Sequence, residues 1–167
     1  MTVRDVAANG HRGCMDDEDI PPLKSPEEME PVRTDADLRE RWRSLMGRLG
    51  FGGYSLWLNL VDADGRMTPV LTQIEELDAP PDEIGLDNLM RMCRHLVDEF
   101  APGGRVAFLL TRPGSAGLTD WDRAWGNALL QGARRHAVPL WPVHRANDEV
   151  LRVMAPDDLS GELARPA

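Results

Sequence analysis

Four histidines and two cysteines are the side chains of this sequence best suited to hold a metal ion. They are His11, Cys14, Cys93, His95, His136 and His144. A tetrahedral zinc site takes four such ligands, commonly from two close pairs. The pair Cys93 and His95 lies in a helical pattern, where an i, i+2 spacing turns the two side chains apart. Because no second pair completes a set of four, the sequence predicts no metal site and no cofactor.

One short turn contains a serine that resembles an enzyme nucleophile only superficially. The turn reads Gly114-Ser115-Ala116-Gly117. A nucleophile elbow has the pattern G-x-S-x-G, and a phosphate-binding loop has a lysine after its last glycine. The turn has neither feature. We therefore interpret it as a polar loop and assign no catalytic residue from this pattern.

Trp57 is the best candidate for a contact with a partner protein. It lies in a run of alternating residues, on the face that also carries Ser55 and Asn59. Tryptophan is enriched among the residues that dominate protein interfaces. In contrast, Trp121 and Trp125 are spaced i, i+4 in a helical pattern, which is typical of a core. We predict Trp57 to be an exposed, partner-binding side chain.

The length and composition indicate one globular domain. The chain has 167 residues, of which 42% are hydrophobic. Domains usually span roughly 100 to 200 residues. No apolar run approaches the roughly 20 residues that a membrane-spanning helix needs, and the first residues do not resemble a signal peptide. We expect a cytoplasmic protein with no membrane contact.

The charge of the chain argues against a nucleic-acid partner. The net charge is -9, and residues 1 to 40 contribute most of it. Nucleic-acid binding depends on neutralising phosphates with lysine and arginine on a basic surface. A protein partner is the better expectation, and a homo-oligomer stays open.

Three segments differ in composition. Residues 1–33 are acidic, interrupted by prolines and poor in large apolar residues, so we predict a disordered leader. Residues 34–156 carry the periodic hydrophobic patterns of a single α/β domain. Residues 157–167 are predicted to be a flexible C-terminal tail.

The periodic segments predict an ordered series of helices and strands. In sequence order they are a helix from Thr34 to Leu49, strands Tyr54–Val61 and Arg66–Ile74, a helix from Leu86 to Phe100, a strand Arg105–Thr111, a helix from Thr119, and strands Val138–Val143 and Val150–Met154. Asp62-Ala63-Asp64-Gly65 has the composition of a hairpin turn. The fold class predicted from this order is α/β, a three-layer mixed β-sheet flanked by helices.

From Tyr54 to about Met154 the chain resembles the JAB/MPN domain, and specifically its RadC-like bacterial branch. The resemblance rests on the strand and hairpin from Tyr54 to Arg66, on Leu77-Asp78-Ala79, and on the segment Val138-Pro-Leu-Trp-Pro-Val-His. It covers about 100 residues. It implies a JAB/MPN-like fold, related in architecture to cytidine deaminases.

The resemblance also implies a zinc site, from which this sequence departs. In the family, a His-x-His pair at the end of the central strand and an aspartate in a Ser-x-x-Asp motif hold zinc, and an upstream glutamate deprotonates the bound water. Here Thr119-x-x-Asp122 keeps the second motif, but Arg112 stands where a histidine is expected. A guanidinium stays protonated and repels a metal ion. We predict a vestigial pocket of Arg112, Ser115, Thr119 and Asp122. Two alternatives stay open for Arg112: an ion pair with Asp122 across the pocket, or a solvent-exposed side chain that contributes little.

Two functional hypotheses follow from the resemblance. The first is a non-catalytic, metal-free JAB/MPN-like pseudoenzyme that acts as a protein-binding or regulatory module through a sheet edge, Trp57 or the acidic leader. The alternative is a hydrolase or deaminase-like enzyme with a rearranged site around the same four residues, Arg112, Ser115, Thr119 and Asp122.

Overall fold

The computed structural model describes residues 20–25 and 27–160, which form a mixed five-stranded sheet with helices on both faces. The α/β class predicted from the sequence is confirmed. In chain order the elements are α1 (Asp35–Met46), β1 (Ser55–Val61), β2 (Met67–Ile74), α2 (Glu83–Phe100), β3 (Arg105–Thr111), α3 (Asp120–Arg135), β4 (His144–Ala146), β5 (Leu151–Val153) and the short α4 (Pro156–Leu159).

The sheet has the strand order β2-β1-β3-β4-β5. Neighbouring strands are antiparallel except β3 and β4, which are parallel. The apolar run of β3 lies in the middle of the sheet, and all of its residues after Arg105 are buried. A strand covered on both faces needs such a continuous apolar sequence. The prediction of a central strand at 105–111 is therefore confirmed.

Two hydrophobic clusters lie on opposite faces of the sheet, so the domain has three layers. Helices α2 and α3 cover one face, where alternate residues of β1 and β3 are buried. Helix α1 covers the other face, and its Leu38 and Trp42 are fully buried there. Each buried side chain of this size contributes about 1.5–3 kcal/mol relative to its exposed state.

β2 is an edge strand, as its proline predicts. Pro69 has no N–H to donate to a neighbouring strand, so it is tolerated at an edge and not in the middle of a sheet. The register between β1 and β2 shifts between Asn59 and Val61, opposite the stretch that contains Pro69. Val70 and Leu71 follow the proline and are exposed.

Helices α1 and α3 begin with the same arrangement of side chains. The Oγ1 of Thr34 accepts from the N–H of Asp37 at 3.2 Å, and Asp37 accepts from the N–H of Thr34 at 2.9 Å. Thr119 and Asp122 repeat this exchange at 3.3 and 2.9 Å. These capping boxes satisfy N–H groups that a helix start leaves unpaired. Both predicted helix starts are confirmed.

The prediction of a strand at Val138–Val143 is wrong, because the strand in this part of the chain comes later. β4 begins only at His144, and the preceding segment touches the sheet through a single bridge from Leu140 to Val106. Pro139 and Pro142 lack the N–H groups that a continuous ladder requires. The Pro139 carbonyl still accepts from Val106 at 2.9 Å. The segment thus follows β3 without forming a strand beside it.

The packed region extends beyond both predicted domain boundaries. Val32, inside the predicted leader, is buried, and its N–H donates to the carbonyl of Gly65 at 2.7 Å. At the other end, α4 begins at the predicted boundary and extends into the predicted tail, and Leu159 packs against the cluster under α2 and α3. The rest of these two predictions, at residues 1–19, 26 and 161–167, lies outside the described residues. None of the helices in the described region has the length and apolar character needed to cross a membrane.

Candidate functional site

The candidate site lies where β3 ends and the chain turns through residues 112–118 into α3. The N–H of Arg112 donates to the carbonyl of Ala146 at 3.1 Å, so this residue extends the pairing of β3 with β4. Side chains alternate between the faces of a strand. Arg112 therefore lies on the same face as Leu110, which is the face covered by α2 and α3. Asp122 lies in the first turn of α3.

Arg112 and Asp122 form a buried ion pair. Nε of Arg112 donates to Oδ1 and Oδ2 of Asp122 at 3.0 and 3.1 Å, and Nη2 donates to Oδ2 at 2.9 Å. The side chains are 3% and 1% exposed. Of the two alternatives for Arg112, the structure has the ion pair and not the exposed side chain. Two-pronged pairs of this kind fix geometry as well as charge.

The loop and the helix cap supply further hydrogen-bond partners to the pair. Nη2 of Arg112 also donates to the carbonyls of Ala116 and Gly117 at 2.9 and 2.5 Å. Asp122 accepts the N–H of Thr119 in the capping box. A buried charge pair costs desolvation energy unless its other donors and acceptors are satisfied in this way. The pair therefore connects the strand end, the loop and the helix start.

The residues of this site do not fit a zinc ion. The family resemblance implies that the carboxylate of Asp122 would be a metal ligand. Here that carboxylate is bound by the guanidinium of Arg112 instead. Across residues 20–25 and 27–160, no three His, Cys, Asp or Glu side chains are grouped so that they could hold a metal ion. We therefore derive no reaction through a metal.

The four residues of the predicted pocket do not all converge. Ser115 is exposed on the loop, whereas Arg112 and Asp122 are buried. The hydroxyl of Thr119 accepts from the N–H of Asp122. An activated serine needs a base within hydrogen-bond reach. The only carboxylate among the four residues is that of Asp122, and it is paired with Arg112. The arrangement favours a structural role for these residues over a nucleophilic one.

Asp148 is a residue of the site that the sequence did not reveal. Its carboxylate accepts from the N–H of Phe51 at 2.8 Å and from the N–H of Gly114 at 2.7 Å. Beside it, Nδ2 of Asn147 donates to the carbonyl of Ala116 at 3.0 Å. Sequence patterns identify this stretch only as a turn, because both contacts are made to residues more than 30 positions away. The turn thus holds the loop of residues 112–118 through Gly114 and Ala116.

Trp57 is half-buried rather than freely exposed. Its Nε1 donates to Oγ1 of Thr111 at 3.1 Å, and its ring packs with the cluster under α1. The ring contributes to the lining of an open groove of about 1010 Å³ on this face, together with Tyr54, Gln73 and Pro113. Trp57 itself lies on the opposite face of the sheet from the Arg112–Asp122 pair. Trp57 is therefore less exposed than predicted, and its contact with a partner stays a prediction.

Two buried titratable groups lie outside the pocket. Burial lowers the pKa of His144 below its usual 6.5, although the carbonyl of Pro142, 3.1 Å from Nδ1, opposes this change. Burial raises the pKa of the Cys93 thiol to about 12. His144 faces α1, and Cys93 packs on the other side of the sheet. Both groups are held in their neutral forms.

Comparisons of the chain with protein-family models, with curated proteins and with solved structures found no match. The functional conclusions below therefore depend on the geometry of the site and on the surfaces around it.

Proposed function

We propose that this chain is a non-catalytic, metal-free module of the JAB/MPN type, close to the RadC-like branch, that acts by binding a protein partner. The observation that carries the proposal is the buried pair of Arg112 and Asp122 at the end of the central strand. A fixed cation occupies the position where that family holds zinc. Without an ion to activate water, the hydrolytic chemistry of the family has no nucleophile.

The arrangement of the elements supports the relationship to this family. The mixed sheet has an antiparallel hairpin at one side, a central buried strand and a helix that begins with Thr119-x-x-Asp122 directly after it. The hairpin is one of the features on which the resemblance rests, and Thr119-x-x-Asp122 is the part of the family's metal motif that this sequence keeps. Fold alone does not assign function, so the missing ligands carry the argument that the module is not catalytic.

The edge strand β2 is the surface best suited to a partner. No strand of the described region covers its outer side, and Val70 and Leu71 expose apolar side chains there. An extended segment of a partner can pair with such an edge through its backbone, while pockets for alternate side chains supply specificity. We propose that the partner contributes a strand at β2.

The metal-free part of the proposal is tested by elemental analysis of the purified full chain and by zinc titration in a calorimeter. We expect no stoichiometric zinc and no saturable binding. Arg112→His provides a comparison, because it returns an imidazole to the strand end. A wild-type chain that retains one zinc per molecule would overturn the proposal.

The binding part is tested by capture from lysate of the native host. We compare the wild type with a Val70→Lys, Leu71→Glu variant and with Ile84→Glu as a control, since Ile84 is exposed on α2, away from the edge. We expect one protein to be captured by the wild type and the control and lost with the edge variant. Equal capture by all three chains, or capture by none, would contradict the proposed surface.

A further inference from the structure

We infer that Arg145 and Arg152 form a binding site for a small tetrahedral oxyanion, inorganic phosphate or a phosphomonoester group, on the α3 side of β4 and β5. The inference concerns a different part of the fold from the β2 edge. It does not depend on the partner-binding function proposed above.

Arg145 is a buried cation without an adequate partner. Its side chain is 7% exposed, and no residue of the described region accepts a hydrogen bond from its buried Nε. An unpaired buried charge costs several kcal/mol of folding free energy. Arginine cannot relieve this cost by losing its proton at ordinary pH. A bound anion would supply the missing acceptor.

The surrounding charges add to the positive potential. Arg152 lies directly opposite Arg145 in the antiparallel pair of β4 and β5. On its other side, Arg145 is paired with Leu110 of β3. Arg112 follows two residues after Leu110 on the same face. Like charges at directly opposed positions destabilise a sheet. Three guanidinium groups are thus gathered on one face of three neighbouring strands.

The carboxylates nearby do not balance these three cations. Asp122 is already held by both prongs of Arg112. Asp158 is near enough to act on the charge of Arg145, but it accepts the N–H of Ala155 at 2.8 Å at the start of α4. Burial lowers the pKa of Arg145, and the positive charges of Arg152 and Arg112 lower it further. The carboxylate of Asp122 raises it. The three arginines carry three positive charges and the two carboxylates carry two negative charges, so one positive charge remains in excess.

The geometry favours phosphate over a simple halide ion. A guanidinium presents its donors in a planar fork that matches two oxygens of a phosphate group, and two opposed arginines supply two such forks. Arg152 is exposed, so its guanidinium is accessible to an anion from solvent. An anion held between them would be contacted from one buried side and one open side.

The experiment is a calorimetric titration of the full chain with sodium phosphate at constant ionic strength. Arg145→Met removes the guanidinium and keeps an apolar stem. Arg152→Gln changes an exposed residue, so its fold is not at risk. Arg91→Gln, an exposed arginine on α2, is the matched control. Circular dichroism of each variant checks that the fold is kept.

We expect saturable phosphate binding by the wild type and by Arg91→Gln. Arg152→Gln should weaken it about tenfold, which corresponds to about 1.4 kcal/mol, and Arg145→Met should abolish it. No binding by the wild type would overturn the inference. Equal binding by the wild type and both site variants, which would indicate an adventitious ion only, would overturn it as well.

Discussion

Arg112 and Asp122 lie ten residues apart in sequence and are joined by three hydrogen bonds across the gap between the end of β3 and the start of α3. The first turn of α3 is held in addition by Trp121, whose Nε1 donates to the carbonyl of Leu77 at 2.6 Å. The pair thus ties the end of the central strand directly to the first turn of the helix. Its removal should be felt in stability.

Replacing Arg112 with methionine should lower the free energy of unfolding by about 3–5 kcal/mol, because Asp122 would be left buried without its counter-charge. Urea unfolding followed by circular dichroism measures this loss. The exposed pair of Arg94 and Asp98 provides the control. Arg94→Met should cost less than about 1 kcal/mol.

The double variant Arg112→Met, Asp122→Asn separates the charge effect from the loss of packing. Asparagine keeps an oxygen for the capping box and is neutral, so no uncompensated charge is left buried when Arg112 is removed. We therefore expect the double variant to be more stable than Arg112→Met alone. If the second substitution instead adds a further loss of several kcal/mol, the pair does not act as a charge pair.

Gly104 should tolerate no side chain. A Cβ at this position would lie 2.3 Å from the carbonyl oxygen of Val61 and 2.8 Å from that of Ala101, both of them backbone atoms that cannot move independently. Gly104→Ala should therefore destabilise the fold by about 1–3 kcal/mol, as overpacking does. Gly53→Ala is the control, because nothing lies within 4 Å of its Cβ position. Equal thermal midpoints for the two variants would show that the contact at Gly104 relaxes freely.

Local chemistry in the sequence predicted most of the elements correctly. Thr34 and Thr119 predict helix starts because each caps its helix through hydrogen bonds to a residue three positions later. The hairpin follows from Asp62, whose Oδ1 accepts from the N–H groups of Asp64 and Arg66, each at 2.9 Å. Such short-range patterns need no knowledge of the rest of the chain.

Features that depend on distant segments were not predictable. The position of β4 is set by the pairing of His144 with Leu109, whereas the apolar residues before it suggested an earlier strand. The contacts of Asp148 and the crowding of arginines around Arg145 arise only when β3, β4 and β5 are brought together. The sequence left the ion pair of Arg112 with Asp122 as one of two alternatives, because no local pattern determines whether an arginine at a strand end is buried or exposed.

The stability of the protein should fall in mild acid because of His144. The pKa of the native imidazole lies below 6.5, so the unfolded chain takes up a proton first as the pH falls. Stability is complete above about pH 7 and decreases as the pH falls below 6.5, by up to about 1.4 kcal/mol per pH unit. Asp35 and Arg39 of α1 are the charged groups that act on the ring.

Urea titrations of the wild type and His144→Gln between pH 8 and pH 5 measure this dependence. The variant should be less stable at pH 8 but should lose less stability on acidification. His95 and His136 are unchanged in both proteins, so their contributions cancel in the comparison. Parallel pH profiles would exclude His144 as the source.

Cys93 should be chemically inert in the folded protein. Its thiol is buried and has a pKa of about 12, so the reactive thiolate is scarce at pH 8. In a Cys14→Ser background, which leaves one thiol, reaction with a disulfide reagent should proceed only as fast as the protein opens. The measurement is the rate of colour release with and without urea. Native reaction at the rate of a small free thiol would contradict the burial.

The proline in β2 limits what can be added to the sheet. Pro69 leaves a gap in the row of backbone donors, and the register shift beside it bends the strand locally. Fibril growth requires an unbroken, flat row of donors that each new copy can extend. The edge can therefore accept a short guest segment over residues 70–74 and yet resist templating long amyloid-like stacks of its own kind.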